Sequence, residues 1–345
     1  MTLPRTPEPV VSGADLQAIA GALYPRAEEQ AQEILRRLRR PAGSSARQPC
    51  VAVVGRFSAG KSRFLNTLLG SELLPVDTDI VRLGVCEIAY GRNHRFVKQV
   101  RDGAGRTRWQ PAALDALLRV SEQHSRHPET DRPRDRYRII SPSDILRHLR
   151  LLDTPGYDSP VATRHPRWAL DLVMQACKQA DICLLLLRNP ADSADVDVVA
   201  DLMTVCPRLA LVITKSDLWH PDDITVIAED SADTMEQVLG YRPETFCISS
   251  LWQGAGAEER ASMLREHPLS LYKQAPRNDW PRLVGFLRHE AVVTCAGRLI
   301  RLLREYRAAM EGVYALEQNY SRLSTCCCLA AMSLAHPLRT ILWTC

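Results

Sequence analysis

The run Gly55-Arg56-Phe57-Ser58-Ala59-Gly60-Lys61-Ser62 constrains this 345-residue chain more than any other feature. It fits the pattern G-x-x-x-x-G-K-S/T, and its flanks suit that pattern. An apolar run, Cys50 to Val54, leads in, and a helix-compatible run, Ser62 to Leu69, leads out. Strand, glycine-bearing loop and helix in that order make an anion cradle. Glycines let the backbone bend so that several N–H groups point inward. The helix N-terminus adds a partial positive charge. Residues Gly55 through Arg63 are therefore expected to wrap a chain of phosphates. Lys61 is expected to reach the β- and γ-phosphates, and Ser62 to offer its hydroxyl to Mg2+.

Three further pieces indicate which nucleotide. Leu151-Leu152-Asp153-Thr154-Pro155-Gly156 reads as a buried strand ending in a carboxylate and a sharp turn. Asp153 is placed to hold Mg2+, through water, and the Gly156 N–H to sense the γ-phosphate. A second apolar strand, Leu209 to Ile213, ends in Thr214-Lys215-Ser216-Asp217. A carboxylate at Asp217 can accept two hydrogen bonds from the N1–H and exocyclic amine of guanine, which adenine does not offer in that arrangement. The Lys215 stem can lie over the flat base. Phe246-Cys247-Ile248-Ser249-Ser250 reads as a third strand, with a backbone N–H at Ser249 or Ser250 for the guanine carbonyl. Each piece alone is a plain turn or strand exit. Four in this order, each closing an apolar strand, point to GTP and GDP.

The same residues resemble the dynamin superfamily of large GTPases, most closely its bacterial dynamin-like members. The resemblance rests on Gly55–Gly70, Leu73-Leu74-Pro75, Tyr137–Ser143, Asp153–Gly156 and Thr214–Asp217, and it covers about residues 45–255. It implies a GTPase domain that dimerises, as a homo- or heterodimer, across its nucleotide face. It also implies flanking helices that relay nucleotide state to a stalk acting on membranes. Ser58 matches the phosphate-loop serine that compensates charge at the β–γ bridge, and so joins Lys61 as a catalytic candidate.

One stretch departs from the family. A Thr-Thr pair is expected about six residues after the L-P, and one of its members closes over Mg2+ and the attacking water. This chain reads Val76-Asp77-Thr78-Asp79-Ile80-Val81-Arg82, which aligns Val81 and Arg82 with the pair. A valine cannot ligate a metal, so only Thr78, in a shifted register, can take that part. The sequence therefore leaves two outcomes open: a Mg2+-dependent GTP hydrolase, or a GTP-binding switch or assembly partner with little turnover. A conventional monomeric GTPase is disfavoured by the long insertion before Asp153 and by the run Phe64-Leu65-Asn66-Thr67-Leu68-Leu69-Gly70. Arg56 and Arg82 read as solvated surface arginines before charge stabilisers.

Composition narrows the setting. Hydrophobic content of 46% is enough for a packed core, and a net charge of +4 is mild. No nucleic-acid partner is expected, since the aromatic residues do not alternate with basic ones; the charge suits an acidic membrane surface. Eleven cysteines without ligand spacing or disulfide context, and a start without a hydrophobic signal region, lead to an expected cytoplasmic location with peripheral membrane contact. Cys50, Cys86, Cys183 and Cys247 fall in strand-like runs and read as small core hydrophobes. His124 and His127 sit in a polar, proline-rich loop and read as solvated.

The expected fold class is α/β: a P-loop GTPase domain with a mostly parallel sheet covered by helices on both faces, plus flanking helical neck segments. Residues 1–48 read as an N-terminal helical segment and linker, 49–275 as the GTPase domain, and 276–345 as a helical segment with an apolar tail. Within the last segment Leu299, Leu302, Leu303, Tyr306, Met310, Val313 and Leu316 recur at helical spacing. The tail from Thr325, with Cys326-Cys327-Cys328, is too short an apolar stretch to span a bilayer.

Overall fold

Short apolar runs rich in Val, Leu and Ile set the architecture, because a strand with no polar face has to be covered on both sides. A computed structural model of the chain describes residues 48–74, 85–101, 106–112, 136–158, 168–206, 208–266 and 275–321, with Glu29 and Glu33. Among them the strands are β1 (Cys50–Gly55), β2 (Cys86–Tyr90), β3 (Arg95–Arg101), β4 (Thr107–Pro111), β5 (Tyr137–Ser141), β6 (Arg150–Asp153), β7 (Ile182–Leu187), β8 (Leu209–Ile213) and β9 (Thr245–Cys247). The helices are α1 (Lys61–Leu69), α2 (Trp168–Cys177), α3 (Ser193–Met203), α4 (Pro221–Leu239), α5 (Ser250–Gly254), α6 (Ala257–Glu266) and α7 (Trp280–Ser321).

The strands form one sheet in the order β4-β3-β5-β2-β6-β1-β7-β8-β9. From β6 to β9 every neighbour is parallel. The insertion before Asp153 supplies β2 to β5 and extends the sheet on the other side. There β2 runs antiparallel to β6 but parallel to β5, and β3 is antiparallel to both its neighbours. The sheet is thus mostly parallel, as expected, with a mixed flank. The strands expected at 84–101 are β2 and β3. Pro111 closes the edge strand β4, where a missing N–H costs no ladder bond. The remainder of the expected helix at 111–123 lies outside the described residues, apart from Ala112. So do the loop holding His124 and His127, almost all of the N-terminal segment, and the tail with Cys326–Cys328.

Side chains alternate between two cores. On one face Val51, Val53, Leu151, Leu184 and Leu186 meet Phe64 and Leu65 of α1, Leu146 and Leu149, and Trp280, Leu283 and Leu287 of α7. On the other, Ala52, Val54, Leu152, Leu185 and Leu187 meet Val173 of α2, Val199 and Leu202 of α3, and Ile224 and Met235 of α4. Helices therefore cover both faces. The four cysteines read as core hydrophobes are buried, together with Cys177 and Cys206. Burial pushes the Cys206 thiol up to about 12 and the Cys247 thiol up to about 11, so both stay protonated at neutral pH.

One expected strand is shorter than its residues suggest. Phe246–Ser250 reads as extended throughout, but β9 ends at Cys247. The Ser249 hydroxyl accepts a hydrogen bond from the Trp252 N–H at 3.0 Å and caps α5, so the chain turns helical at Ser250.

The chain divides into two compact units, residues 42–295 and residues 1–41 with 296–345. The opening turns of α7 belong to the first. Trp280, Leu283, Leu287 and Ala291 recur at helical spacing and are all buried. Asp279 ties this end down: its carboxylate accepts from the Cys247 N–H at 2.9 Å, and its own N–H donates to the Cys247 carbonyl at 2.7 Å. The stripe expected from Leu299 to Leu316 lies further along α7. Within it Tyr306 is buried; the side chains of its other members lie outside the described residues. Among the described residues no helix is long and apolar enough to cross a membrane.

Trp280 packs edge-on against Phe64, with ring centroids 5.6 Å apart. Trp280→Ala is expected to lower stability by about 3–5 kcal/mol, the usual cost of deleting a buried aromatic. Urea unfolding followed by circular dichroism should show the midpoint fall with little change in slope.

Candidate functional site

The parallel strands β1, β6, β8 and β9 end on one edge of the sheet, and each expected site segment begins where one of them ends. This is the crevice that open α/β sheets use for ligands. The loop after β1 turns through two left-handed residues, Ser58 (φ 60°) and Gly60 (φ 88°), before α1 begins at Lys61. Such a path directs successive N–H groups to one side.

Lys61 is buried below this loop. Its Nζ donates to the Gly55 carbonyl at 2.9 Å and to the Arg56 carbonyl at 2.8 Å. Burial pushes its pKa down to about 8, against the opposing pull of Asp153 and Asp158. Asp153, at the end of β6, is buried too, and desolvation pushes its carboxyl up to about 6, with Lys61 pulling the other way. Buried cation and buried carboxylate are thus near enough for each to act on the other's charge. Ser62 is half-buried beside them. A hydroxyl and a carboxylate are hard oxygen donors, which suit Mg2+, and the inward N–H groups with an ammonium suit phosphate. The donor set fits both groups.

Two glycines are required by close approach. A Cβ on Gly55 would lie 2.6 Å from the Leu186 carbonyl oxygen, and one on Gly156 would lie 2.6 Å from the Phe57 nitrogen. The turn after Asp153 therefore presses directly on the phosphate loop. Thr154 fixes it from below, donating to the Val53 carbonyl at 2.7 Å.

At the end of β8, the Thr214 hydroxyl lies 2.8 Å from the Ala59 carbonyl and ties this segment to the phosphate loop. Lys215 is left-handed (φ 57°), which turns the chain so that Ser216 N–H bonds to the Ile248 carbonyl at 3.1 Å. Asp217 is buried on the short turn that follows. Ser249 is fully buried, and its N–H donates to the Asn278 side chain at 3.2 Å. Ser249 is committed inward, whereas Ser250 is half-buried at the start of α5. The structure thus brings Gly55–Arg63, Asp153, Gly156, Thr214, Lys215, Asp217, Ser249 and Ser250 to one sheet edge. Thr78, Val81 and Arg82 lie outside the described residues.

The sequence reading missed a second group. Arg56 is engaged rather than solvated. Its Nε donates to Asp195 at 2.9 Å and its terminal amine to Asp192. Asp192 and Asp195 form the capping box of α3, and the buried Tyr157 donates its hydroxyl to Asp195 as well. The spacing Asp192-x-x-Asp195 before an apolar run was a readable cap signal; its convergence on Arg56 and Tyr157 depends on the fold. Next to it, Asp158 accepts from the Phe57 N–H at 2.5 Å. Asn66 was another such residue. Its side chain accepts from Leu73 N–H and Leu74 N–H, at 3.1 and 2.8 Å, and so folds Leu73-Leu74 back on α1.

Residues 51–204 match the model of the dynamin family. Two relatives agree. The chain is 24% identical over 257 residues to the dynamin-like GTPase MGM1, mitochondrial, of Chaetomium thermophilum. It is 24% identical over 200 residues to dynamin-like protein 2 of Campylobacter jejuni. Over this region the chain is similar to the dynamin family. The matches cover 69% and 57% of this chain, but only 25% and 29% of the two relatives. Two solved chains of an oligomerised bacterial dynamin pair share its fold, with TM-scores of 0.51 and 0.53 at 13% and 14% identity. They cover 96% and 95% of this chain, which spans about half of each (50% and 51%).

Two substitutions probe this site. Gly156→Ala forces a Cβ into the Phe57 backbone, an overpacking cost of about 1–3 kcal/mol. A fluorescent GTP analogue should bind at least tenfold more weakly, with far-ultraviolet circular dichroism unchanged. Asp195→Ala removes a cap acceptor and the partner of Arg56 and Tyr157. It should cost about 1–3 kcal/mol in urea unfolding, the exposed Arg56 pair adding little.

Proposed function

We propose that this chain is a Mg2+-dependent GTPase of dynamin type, hydrolysing GTP to GDP and phosphate. The observation that carries the reading is the left-handed loop folded over buried Lys61, with Asp153 buried at the end of the adjacent strand and Thr214 bonded to the same loop. In this reading Gly55–Arg63 supply the cradle of N–H groups, and Lys61 draws charge from the β- and γ-phosphate oxygens. Ser62 and Asp153 hold Mg2+, which when bound neutralises charge developing on those oxygens. Gly156 offers its N–H to the γ-phosphate. Thr214, Lys215 and Asp217 seat guanine, with the Ser249–Ser250 turn at its carbonyl edge. Ser58 compensates charge at the β–γ bridge, and Thr78 is the candidate to order the attacking water.

Dimerisation through the nucleotide face is part of the same proposal. Phe57 supports it: this large apolar side chain sits in the phosphate loop and is 43% exposed. Two such faces brought together would cover both phenyl rings and exclude water from the site. Action at a membrane surface is proposed from the family, since the solved bacterial dynamin pair is described as sensing and tethering membranes. The flanking segments, residues 1–48 and 276–345, are proposed to form a helical neck; the grouping of 1–41 with 296–345 in one unit supports this.

The test is GTP turnover with Mg2+ across a tenfold range of protein concentration, with Lys61→Ala as blank, with and without anionic liposomes. The expected outcome is a specific rate that climbs with concentration and falls at least a hundredfold in Lys61→Ala, about 2.7 kcal/mol of lost transition-state stabilisation. GTP binding without turnover would instead make the chain a nucleotide-gated switch or assembly partner, as the Val81-Arg82 stretch allows.

A further inference from the structure

A carboxylate occupies one corner of the phosphate cradle. The Phe57 N–H is among the loop donors that line it, and it donates to Asp158 at 2.5 Å. The position is informative. The backbone N–H groups nearest α1, at Gly60 to Ser62, serve the inner phosphates. Phe57 lies at the opposite end, beside Gly156, which approaches so closely that any Cβ there would meet the Phe57 nitrogen. This is the end where a terminal phosphate has to sit. Asp158 also lies close enough to Lys61 for its charge to oppose the desolvation of the ammonium. A carboxylate accepting from a loop N–H does what a phosphate oxygen would do there.

We propose that Asp158 is a specificity-determining residue that competes with the γ-phosphate and thereby biases the site toward the diphosphate. The proposal rests on the nucleotide reading of the phosphate loop given above. Its physics is simple. Two anions cannot share one donor and one corner, so a triphosphate has to expel Asp158, whereas a diphosphate that ends short of Phe57 leaves it in place. Asp158 is exposed, so the expelled carboxylate gains water, and the contact acts as a discriminator rather than a block.

Its neighbours decide what else moves. Tyr157 is buried and held by Asp195, the same carboxylate that holds Arg56. Gly156 abuts the loop backbone. Asp158 is thus carried on a turn that is clamped on its inner side, and its departure pulls on the Tyr157–Asp195–Arg56 contacts. Triphosphate entry is coupled in this way to the N-terminus of α3, the helix that Asp192 and Asp195 cap.

The experiment is equilibrium titration of the full chain, in Mg2+, with fluorescent GDP and with a fluorescent non-hydrolysable GTP analogue. Wild type, Asp158→Ala, Asp158→Asn and Lys61→Ala are compared, with thermal melting of each as a folding control. Asp158→Ala is expected to bind the triphosphate about tenfold more tightly and to change GDP affinity less than threefold. Asp158→Asn, which keeps the shape without the charge, should shift the ratio in the same direction. Equal gains for both nucleotides, no gain, or a loss for the triphosphate in a folded variant would overturn the proposal. If wild type binds and Lys61→Ala does not, such a result overturns the role of Asp158 alone. Wild type that binds neither nucleotide overturns it together with the reading on which it rests.

Discussion

An ammonium group under a loop of backbone is the constraint on which the site depends. Lys61 donates hydrogen bonds to the carbonyls of Gly55 and Arg56, and this contact holds the loop over its own lysine. Burying a charge is costly unless its donors are used and an opposite charge is near. Both conditions hold here, through those carbonyls and through Asp153. The opposed shifts of the two groups, one down and one up, share a cause in desolvation. The central strands that create this environment are fully covered: every residue of β1, β7 and β8 is buried.

That burial explains the order of the sheet. The parallel strands β6, β1, β7, β8 and β9 need cover on both faces, and α1 and α7 take one face while α2, α3 and α4 take the other. Parallel neighbours bring their C-terminal ends to a common edge, so the loops that follow β1, β6, β8 and β9 are placed together by topology before any of their side chains interact. The mixed flank from β2 to β5 widens the sheet without disturbing that edge.

Much of this was legible in the residues. The strand preceding the phosphate loop, the run ending in Asp153 and the run ending in Thr214 carry no polar alternation, which left few alternatives to central strands. The helix read from Ser62 to Leu69 is α1, which begins one residue earlier, at Lys61. Contacts that depend on tertiary approach were not legible. Arg56 read as solvated because nothing in its neighbourhood in sequence is acidic; its partners lie 136 and 139 residues away. Tyr157 and Asp158 looked like ordinary residues after a turn. Ser249 looked like strand because its capping role depends on a short helix that no periodic pattern announces. The buried residues at the start of α7 were not legible, since Trp280, Leu283 and Leu287 become core only when the Asp279–Cys247 contact fixes where the helix starts.

Asp195 has an unusual share of these contacts. It caps α3, receives the Arg56 guanidinium and receives the Tyr157 hydroxyl. Three interactions that would be independent elsewhere have one acceptor in common, so their energies are not separable. Once the carboxylate is gone, truncating Arg56 still removes its bond to Asp192 and truncating Tyr157 still opens a core position, but the part of their energies that runs through Asp195 is already lost. In a double-mutant cycle the three donors would therefore behave as one coupled unit. Evolutionary change at any of them is conditional on the other two, so the phosphate loop, the turn after Asp153 and the start of α3 are bound to drift together or not at all.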